Sequence, residues 1–126
     1  MEFSIELLAP PGGGPVLRVS GELDIENAPR LGESVQQQLA AAPAALVIDL
    51  TGTTYLDSRG ARELALCGRR ATAAGTALSV VCPRENRRLW RVFDLLGLDS
   101  AVAIHTSYDE QQHDDQHDEQ DGAPGG

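Results

Sequence analysis

Residues 45–60 decide the fold of this chain, and they read ALVIDLTGTTYLDSRG. The first six, ALVIDL, are almost all apolar, which is typical of a strand buried on both faces of a sheet. After Gly60 the chain continues ARELAL, a composition typical of a helix. Asp57 and Ser58 therefore lie where a strand has ended and a helix begins, and Ser58 is predicted to be the N-cap of that helix.

The position of Ser58 has chemical consequences. The first backbone N–H groups of a helix have no partner within the helix, and the aligned peptide dipoles leave a partial positive charge there. A hydroxyl at this place is expected to be accessible, and a phosphate on it would be tolerated. The plainer interpretation is that Ser58 is only a cap and Asp57 only a turn residue, and a single Asp-Ser pair does not exclude it.

The chain has 126 residues, enough for one domain with a real core. Its net charge is −9, but seven of its 19 acidic residues lie in residues 109–126, where no basic residue occurs. The other 12 acids face 10 bases, a difference of −2, so the domain lacks the positive charge that would indicate a nucleic-acid partner. We predict a domain at residues 1–108 and an acidic, disordered tail at residues 109–126.

The basic residues are unevenly distributed. All ten are arginines, and eight of them lie between Arg59 and Arg91. Residues 1–58 hold two arginines against eight acids, so opposite charges are expected on different faces. Such a distribution suits a protein partner recognised by complementary charge, and solvated helix faces are an equally ordinary explanation.

The sequence indicates neither a membrane segment nor a metal site. No basic segment followed by a long apolar core begins it, and no stretch approaches the ~20 apolar residues that span a bilayer, so a soluble cytoplasmic protein is expected. Cys67 and Cys82 lack metal-ligand spacing and are predicted to be reduced thiols in or near the core. Chance is the favoured explanation for His113 and His117 in the polar tail, and no cofactor or metal is predicted.

The hydrophobic pattern predicts eight elements in the order β-β-α-β-α-β-α-β. They are strands at residues 3–7, 16–19, 45–50, 77–82 and 101–104, and helices that begin at Asn27 as cap, at Ser58 as cap and at Glu85. Gly75 and Gly97 are predicted to end the last two helices. The apolar stripe of the last helix is predicted to be Leu89, Val92, Phe93 and Leu96. The first two strands are expected to form a hairpin, and the third to run parallel to the second because a helix makes the crossover. These elements predict an α/β (α+β-like) fold with a mixed sheet of four to five strands.

Two short motifs stand at corresponding places in this order. Gly21-Glu22-Leu23-Asp24 follows the second strand, and Asp57-Ser58-x-Gly60 follows the third. With the sequence FDLLGL at residues 93–98, they make residues 3–108 similar to a STAS domain of the bacterial anti-sigma factor antagonist family.

The resemblance implies a STAS fold with the helices mainly on one face of the sheet. It also implies a regulatory function for the second motif. Ser58 matches the phospho-acceptor of the family, and Asp24 and Asp57 match acidic positions of the same surface. The unphosphorylated form is expected to bind an anti-sigma factor that is also a serine kinase, which releases the sigma factor. Phosphorylation of Ser58 would end that binding, and a serine phosphatase would restore it.

The residues after Ser58 depart from the family pattern. Arg59 stands where the family usually has a second small hydroxyl residue, and Ala61 and Arg62 replace the usual Leu and Gly. Arg59, Gly60 and Arg62 are nevertheless expected to belong to the partner-binding surface. An arginine beside the acceptor is able to pair with a nearby carboxylate or with the phosphate itself.

Two alternatives remain at the level of sequence. The first is a STAS module that no kinase modifies, acting as an adaptor or as a subunit of a larger assembly. The second is an enzyme, which would need a nucleophile with its base, a metal cluster or a phosphate-binding glycine loop. The domain offers only His105 near the last strand, and its Gly12 to Gly14 run lies in a hairpin loop, so intrinsic catalysis is not predicted.

Overall fold

The computed structural model describes residues 2–108. Met1 and residues 109–126, with the predicted acidic tail and its two histidines, lie outside the described residues. The strands are β1 (Ser4–Leu8), β2 (Val16–Leu23), β3 (Ala45–Leu56), β4 (Ala77–Val81) and β5 (Ala103–His105), and the helices are α1 (Ala28–Leu39), α2 (Ser58–Ala74) and α3 (Arg87–Leu96). A 3-10 turn at Leu98–Ser100 precedes β5. The predicted element order and fold class are confirmed.

The five strands form one sheet in the order β1-β2-β3-β4-β5. β1 is antiparallel to β2, and every other neighbouring pair is parallel. The predicted hairpin and the parallel pairing of β2 with β3 are therefore confirmed. Because β2, β3 and β4 are parallel, the loops that follow them leave from the same edge of the sheet.

The three helices pack on one face of the sheet, as predicted. The fully buried side chains that join them to the strands include Leu31 and Val35 of α1, Leu64 of α2, Leu89 and Phe93 of α3, and Val19, Ile48 and Val80 of the sheet. Each such side chain stabilises the fold by about 1.5–3 kcal/mol through its removal from water. Cys67 and Cys82 are free and buried, as the sequence indicates.

The opposite face of the sheet holds a smaller apolar cluster around a buried carboxylate. Val16, Val47 and Val81 form the cluster, and Tyr108 packs against it. Asp49 lies beside them, fully buried, and accepts hydrogen bonds from the Tyr108 hydroxyl (2.6 Å), from the Thr51 N–H (2.8 Å) and from Arg18 Nε (3.3 Å). Burial raises the pKa of Asp49, but these hydrogen bonds outweigh it and hold the pKa below its usual value. The hydrogen bond to Asp49 thus holds Tyr108, the last described residue, against the middle of β3.

Several element boundaries differ from the prediction. β3 extends to Leu56 rather than ending at residue 50, because its Thr-rich second half pairs with Gly21, Glu22 and Leu23 of β2 across two register shifts. α3 begins at Arg87 rather than at residue 85, because the Asn86 side chain accepts a hydrogen bond from the Leu89 N–H (3.4 Å) and caps the helix there. β5 begins at residue 103, after the 3-10 turn. The predicted ends of α2 and α3 are confirmed, with Gly75 (φ 78°) and Gly97 (φ 62°) in the left-handed conformation that glycine favours.

Candidate functional site

The two sequence motifs meet at one edge of the sheet. β2 and β3 end side by side, with Leu23 paired to Leu56, so the residues after each strand become neighbours. The Asp57 N–H lies 3.4 Å from the Leu23 carbonyl oxygen, and the Asp57 Oδ2 accepts a hydrogen bond from the Ile25 N–H at 3.1 Å. The site is therefore built by two loops, the one between β2 and α1 and the one between β3 and α2.

Asp57, not Ser58, is the N-cap of α2. Its backbone is extended (φ −102°, ψ −178°), and its Oδ1 accepts a hydrogen bond from the Gly60 N–H at 2.8 Å. Ser58 is the first residue within the helix, so the prediction that Ser58 is the cap is wrong. A carboxylate has two oxygens and satisfies two backbone donors, those of Gly60 and Ile25, where a serine hydroxyl at the cap would satisfy one.

The hydroxyl of Ser58 has no hydrogen-bond partner in the described fold. Ser58 is exposed, and within residues 2–108 its side chain makes no hydrogen bond. The hydroxyl oxygen of a serine at the start of a helix usually accepts a hydrogen bond from a backbone N–H. Since Asp57 has taken that role and Ser58 is exposed, the Ser58 hydroxyl is available to another molecule.

Asp24 organises the other loop. Its Oδ1 accepts hydrogen bonds from the backbone N–H groups of Glu26 (3.1 Å) and Asn27 (3.0 Å), an Asx turn that leads the chain into α1. Asn27 occupies the predicted N-cap position of α1, but it makes no side-chain cap bond, and its amide donates to the Glu22 carbonyl oxygen at 2.9 Å. Asp24 and Asp57 therefore shape this surface as well as charging it.

Gly60 permits the close approach of α2 to the end of β2. It is buried, and a Cβ at this position would collide with the Leu23 carbonyl oxygen and lie 2.8 Å from Cδ1 of Leu56. Backbone atoms yield little to such a collision. The glycine of the motif is thus required by packing beneath the surface that Ser58 and its neighbours present.

Two arginines and several apolar side chains surround Ser58. Arg59 and Arg62 are exposed, and neither forms an ion pair within the described part of the chain. Arg59 therefore does not pair with Asp24 or Asp57. Both arginines line a depression of about 310 Å³ between the starts of α1 and α2, and Arg62 also lines a second one of about 250 Å³ that includes Ser58.

Exposed apolar groups at both depressions were not identified from the sequence. Ile25, in the first, is 57% exposed, and Leu96, in the second, is 52% exposed although its spacing predicts a buried position on α3. The sequence feature that could have identified Ile25 is its position as an isolated apolar residue between Asp24 and Glu26 in a loop. We call the exposed part of this site, formed by Asp24, Ile25, Asp57, Ser58, Arg59 and Arg62, the Ser58 surface.

Within residues 2–108, no three His, Cys, Asp or Glu side chains gather in an arrangement able to hold a metal ion. Over the same residues, no helix has the length and apolar character needed to cross a membrane.

The hairpin, the parallel βα units with helices on one face and the Asp-Ser motif at the start of α2 define a STAS-type domain. The family model described as "Mlab, STAS domain" matches residues 8–104. The chain is 32% identical over 95 residues to the anti-sigma-F factor antagonist RsfB of Mycobacterium tuberculosis, which covers 75% of each protein. This chain therefore belongs to the STAS domain family, in the group of the anti-sigma factor antagonists.

Solved structures agree with this assignment. An anti-sigma factor antagonist from Mycobacterium paratuberculosis superposes with a TM-score of 0.75 at 29% identity, covering 86% of this chain and 89% of that one. The phosphorylated form of the Bacillus cell fate determinant SpoIIAA superposes with a TM-score of 0.60 at 19% identity, covering 90% and 98%, and at that identity it shows the fold alone.

Proposed function

We propose that this protein is an anti-sigma factor antagonist whose Ser58 surface binds an anti-sigma factor. In the unphosphorylated form it occupies the anti-sigma factor and releases the sigma factor; phosphorylation of Ser58 ends the binding. The partner is proposed to be the serine kinase that modifies Ser58, and a serine phosphatase is proposed to reverse the reaction. The names of the mycobacterial relatives support the first part of this proposal.

The observation that carries the proposal is the uncommitted hydroxyl of Ser58. Asp57 caps α2, so a kinase could modify Ser58 without breaking any hydrogen bond of the described fold. The start of α2 also carries the partial positive charge of the helix, which favours a phosphate at its first residue. Phosphorylation is thus expected to leave the fold intact. SpoIIAA, which shares this fold, has been solved in a phosphorylated form.

A phosphate at Ser58 would change the Ser58 surface by charge. It adds about −1.5 to −2 charges at pH 7 beside the carboxylates of Asp24 and Asp57. A partner that fits the unmodified surface, with Ile25 exposed between charged side chains, would then face a strongly hydrated dianion. Loss of binding would follow from repulsion and from the cost of desolvating the phosphate, without unfolding.

Arg59 and Arg62 bear on which partner is recognised. Both guanidinium groups are exposed and unpaired within residues 2–108, so they are free to meet carboxylates of a partner. We propose that they select an anti-sigma factor with acidic residues opposite α2. We propose a binding role rather than a catalytic one, which agrees with the name of the antagonist RsfB to which this chain is similar.

The experiment compares four full-length baits in lysate of the source organism: wild type, Ser58→Ala, Ser58→Asp and the control Ser4→Asp. Ser4 is exposed on the edge strand β1 and is not one of the residues of the Ser58 surface, so Ser4→Asp adds the same charge outside that surface. Captured proteins are identified by mass spectrometry. The identified anti-sigma factor is then purified, titrated against each bait, and incubated with ATP and wild type to locate any phosphate by peptide mapping.

We expect wild type, Ser58→Ala and Ser4→Asp to capture the same anti-sigma factor, and Ser58→Asp to bind it at least 10-fold more weakly, a loss of about 1.4 kcal/mol. Phosphate should appear on Ser58 of wild type and should be absent from Ser58→Ala. If all four baits capture the same proteins equally and no phosphate appears, the protein is an unmodified adaptor, and the switch is refuted.

A further inference from the structure

A cleft lined by arginines lies along α3. It has a volume of about 650 Å³ and is lined by Arg84, Arg87, Trp90, Arg91, Asp94 and Leu95. Arg88, also on α3, is exposed beside it. We call this feature the α3 arginine cleft.

Trp90 forms a fixed aromatic wall of the cleft. Its indole Nε1 donates to the carbonyl oxygens of Pro83 (3.0 Å) and Cys82 (3.3 Å), and its ring packs edge-on against Phe93 at 5.3 Å. The guanidinium of Arg84 lies 5.4 Å from the centre of the Trp90 ring, in cation-π contact. An anionic ligand would therefore meet an arginine already oriented by an aromatic ring.

The positive charge of the cleft is only partly offset within the described residues, since its lining holds three arginines and one acid, Asp94. Over residues 2–108, the arginines of the cleft form no ion pair; the ion pairs of Arg18 with Asp49 and of Arg70 with Glu63 lie elsewhere. On α3, Arg87 and Arg88 lie four and three residues before Arg91, and like charges at those spacings on a helix repel each other. An acidic ligand would relieve this repulsion.

The chain itself carries an acidic segment long enough to reach the cleft. It follows Tyr108, which packs on the face of the sheet opposite the helices. Residues 109–126 contain seven acids and no base. β5 leads to this segment, and its His105 carbonyl oxygen accepts a hydrogen bond from the Cys82 N–H at 2.9 Å, two residues before Arg84. A segment of 18 residues extends up to ~60 Å at about 3.4 Å per residue, so it reaches the cleft easily. Attachment to the same chain gives it a high effective concentration there.

We propose that the acidic residues 109–126 bind the α3 arginine cleft of the same chain. Their carboxylates pair with the exposed arginines and cover the Trp90 wall, so an external acidic ligand has to displace them. Each pair is weak because it is exposed to solvent, and the binding depends on several pairs acting together. It therefore weakens as salt screens the charges. This inference uses no residue of the Ser58 surface and stands apart from the proposed function.

The test places a spin label in the acidic segment of the full-length chain. Gln116→Cys is labelled with a nitroxide, and line broadening of the α3 amides and of the Trp90 indole N–H is measured by NMR in ¹⁵N-labelled protein. Cys67 and Cys82 should stay unlabelled, because burial raises the pKa of each thiol to about 12 and both are inaccessible. The chain has one tryptophan, so its indole signal is unambiguous.

Two charge-matched variants of the labelled chain provide the comparison. Arg87→Gln with Arg91→Gln removes two charges from the cleft, and Arg30→Gln with Arg69→Gln removes two exposed charges from α1 and α2. A third variant replaces the seven acids of residues 109–126 by Asn and Gln. Mixing ¹⁵N-labelled protein without the nitroxide with unlabelled protein carrying it reports contact between two copies.

At low salt we expect the Trp90 indole and the Arg87 and Arg91 amides to lose most of their intensity. The loss should persist in the Arg30 and Arg69 variant, and should largely disappear in the cleft variant, in the neutralised variant and at high salt. Unbroadened α3 signals at low salt would overturn the proposal. Equal broadening in the two arginine variants would also overturn it. Broadening seen mainly in the mixed sample would overturn it by assigning the contact to a second copy of the chain.

Discussion

Replacing Asp57 tests how the site is held together. In Asp57→Ala the Gly60 N–H at the start of α2 and the Ile25 N–H of the neighbouring loop both lose their acceptor. Loss of an N-cap costs about 1 kcal/mol, and the second hydrogen bond adds about 0.5–1.5 kcal/mol. We therefore expect Asp57→Ala to lower the free energy of unfolding by about 2 kcal/mol, or the melting temperature by about 8 °C.

Two variants at the same place provide the controls. Asp57→Asn keeps one side-chain oxygen as acceptor and a good N-cap residue, so it should cost less than about 1 kcal/mol. Ser58→Ala removes a hydroxyl that has no partner within residues 2–108, so the change should be within about 0.5 kcal/mol.

The assay is urea unfolding followed by the fluorescence of Trp90, the one tryptophan of the chain. A lower midpoint with an unchanged slope would show that stability alone has changed. Hydrogen exchange at the Gly60 and Ile25 amides locates the effect and should accelerate in Asp57→Ala. If Ser58→Ala costs as much as Asp57→Ala, Ser58 is the working cap, and the argument for an uncommitted hydroxyl fails.

Gly60→Ala should lower the free energy of unfolding by about 1–3 kcal/mol, because the added Cβ meets the Leu23 carbonyl oxygen. The control, Gly13→Ala in the exposed hairpin loop, should be nearly neutral. Equal urea midpoints for the two variants would contradict the packing argument. The Asp49 and Tyr108 pair predicts a pH dependence with two limits. The pKa of Asp49 is lowered in the fold, so its stabilisation is present above pH ~4 and is lost as the pH falls. Burial and the hydrogen bond to Asp49 raise the pKa of Tyr108, so its contribution is present below pH ~10 and is lost as the pH rises. Tyr108→Phe should remove the alkaline decline in thermal unfolding profiles, and a decline of unchanged size would assign it to another group.

Local sequence signals predicted the elements well and their limits less well. The apolar run at residues 45–50 predicts a strand because it is too short for a buried helix. The second half of β3 is too polar to be recognised as a strand, and it becomes one only because β2 lies beside it. Leu96 has the spacing of a buried residue but lies at the end of α3, where its side chain is half-exposed.

The sequence by itself determined the element order, the parallel pairing of β2 with β3 and the position of the Asp-Ser motif at a helix start. These follow from hydrophobic periodicity, chain connectivity and the glycines at helix ends, which act over a few residues. Only the tertiary structure decided which residue of that motif caps the helix. Asp57 outcompetes Ser58 because the parallel strands bring the Ile25 N–H, distant in sequence, within reach of its second oxygen. A carboxylate that satisfies two donors leaves the serine hydroxyl exposed and without a partner in the described fold.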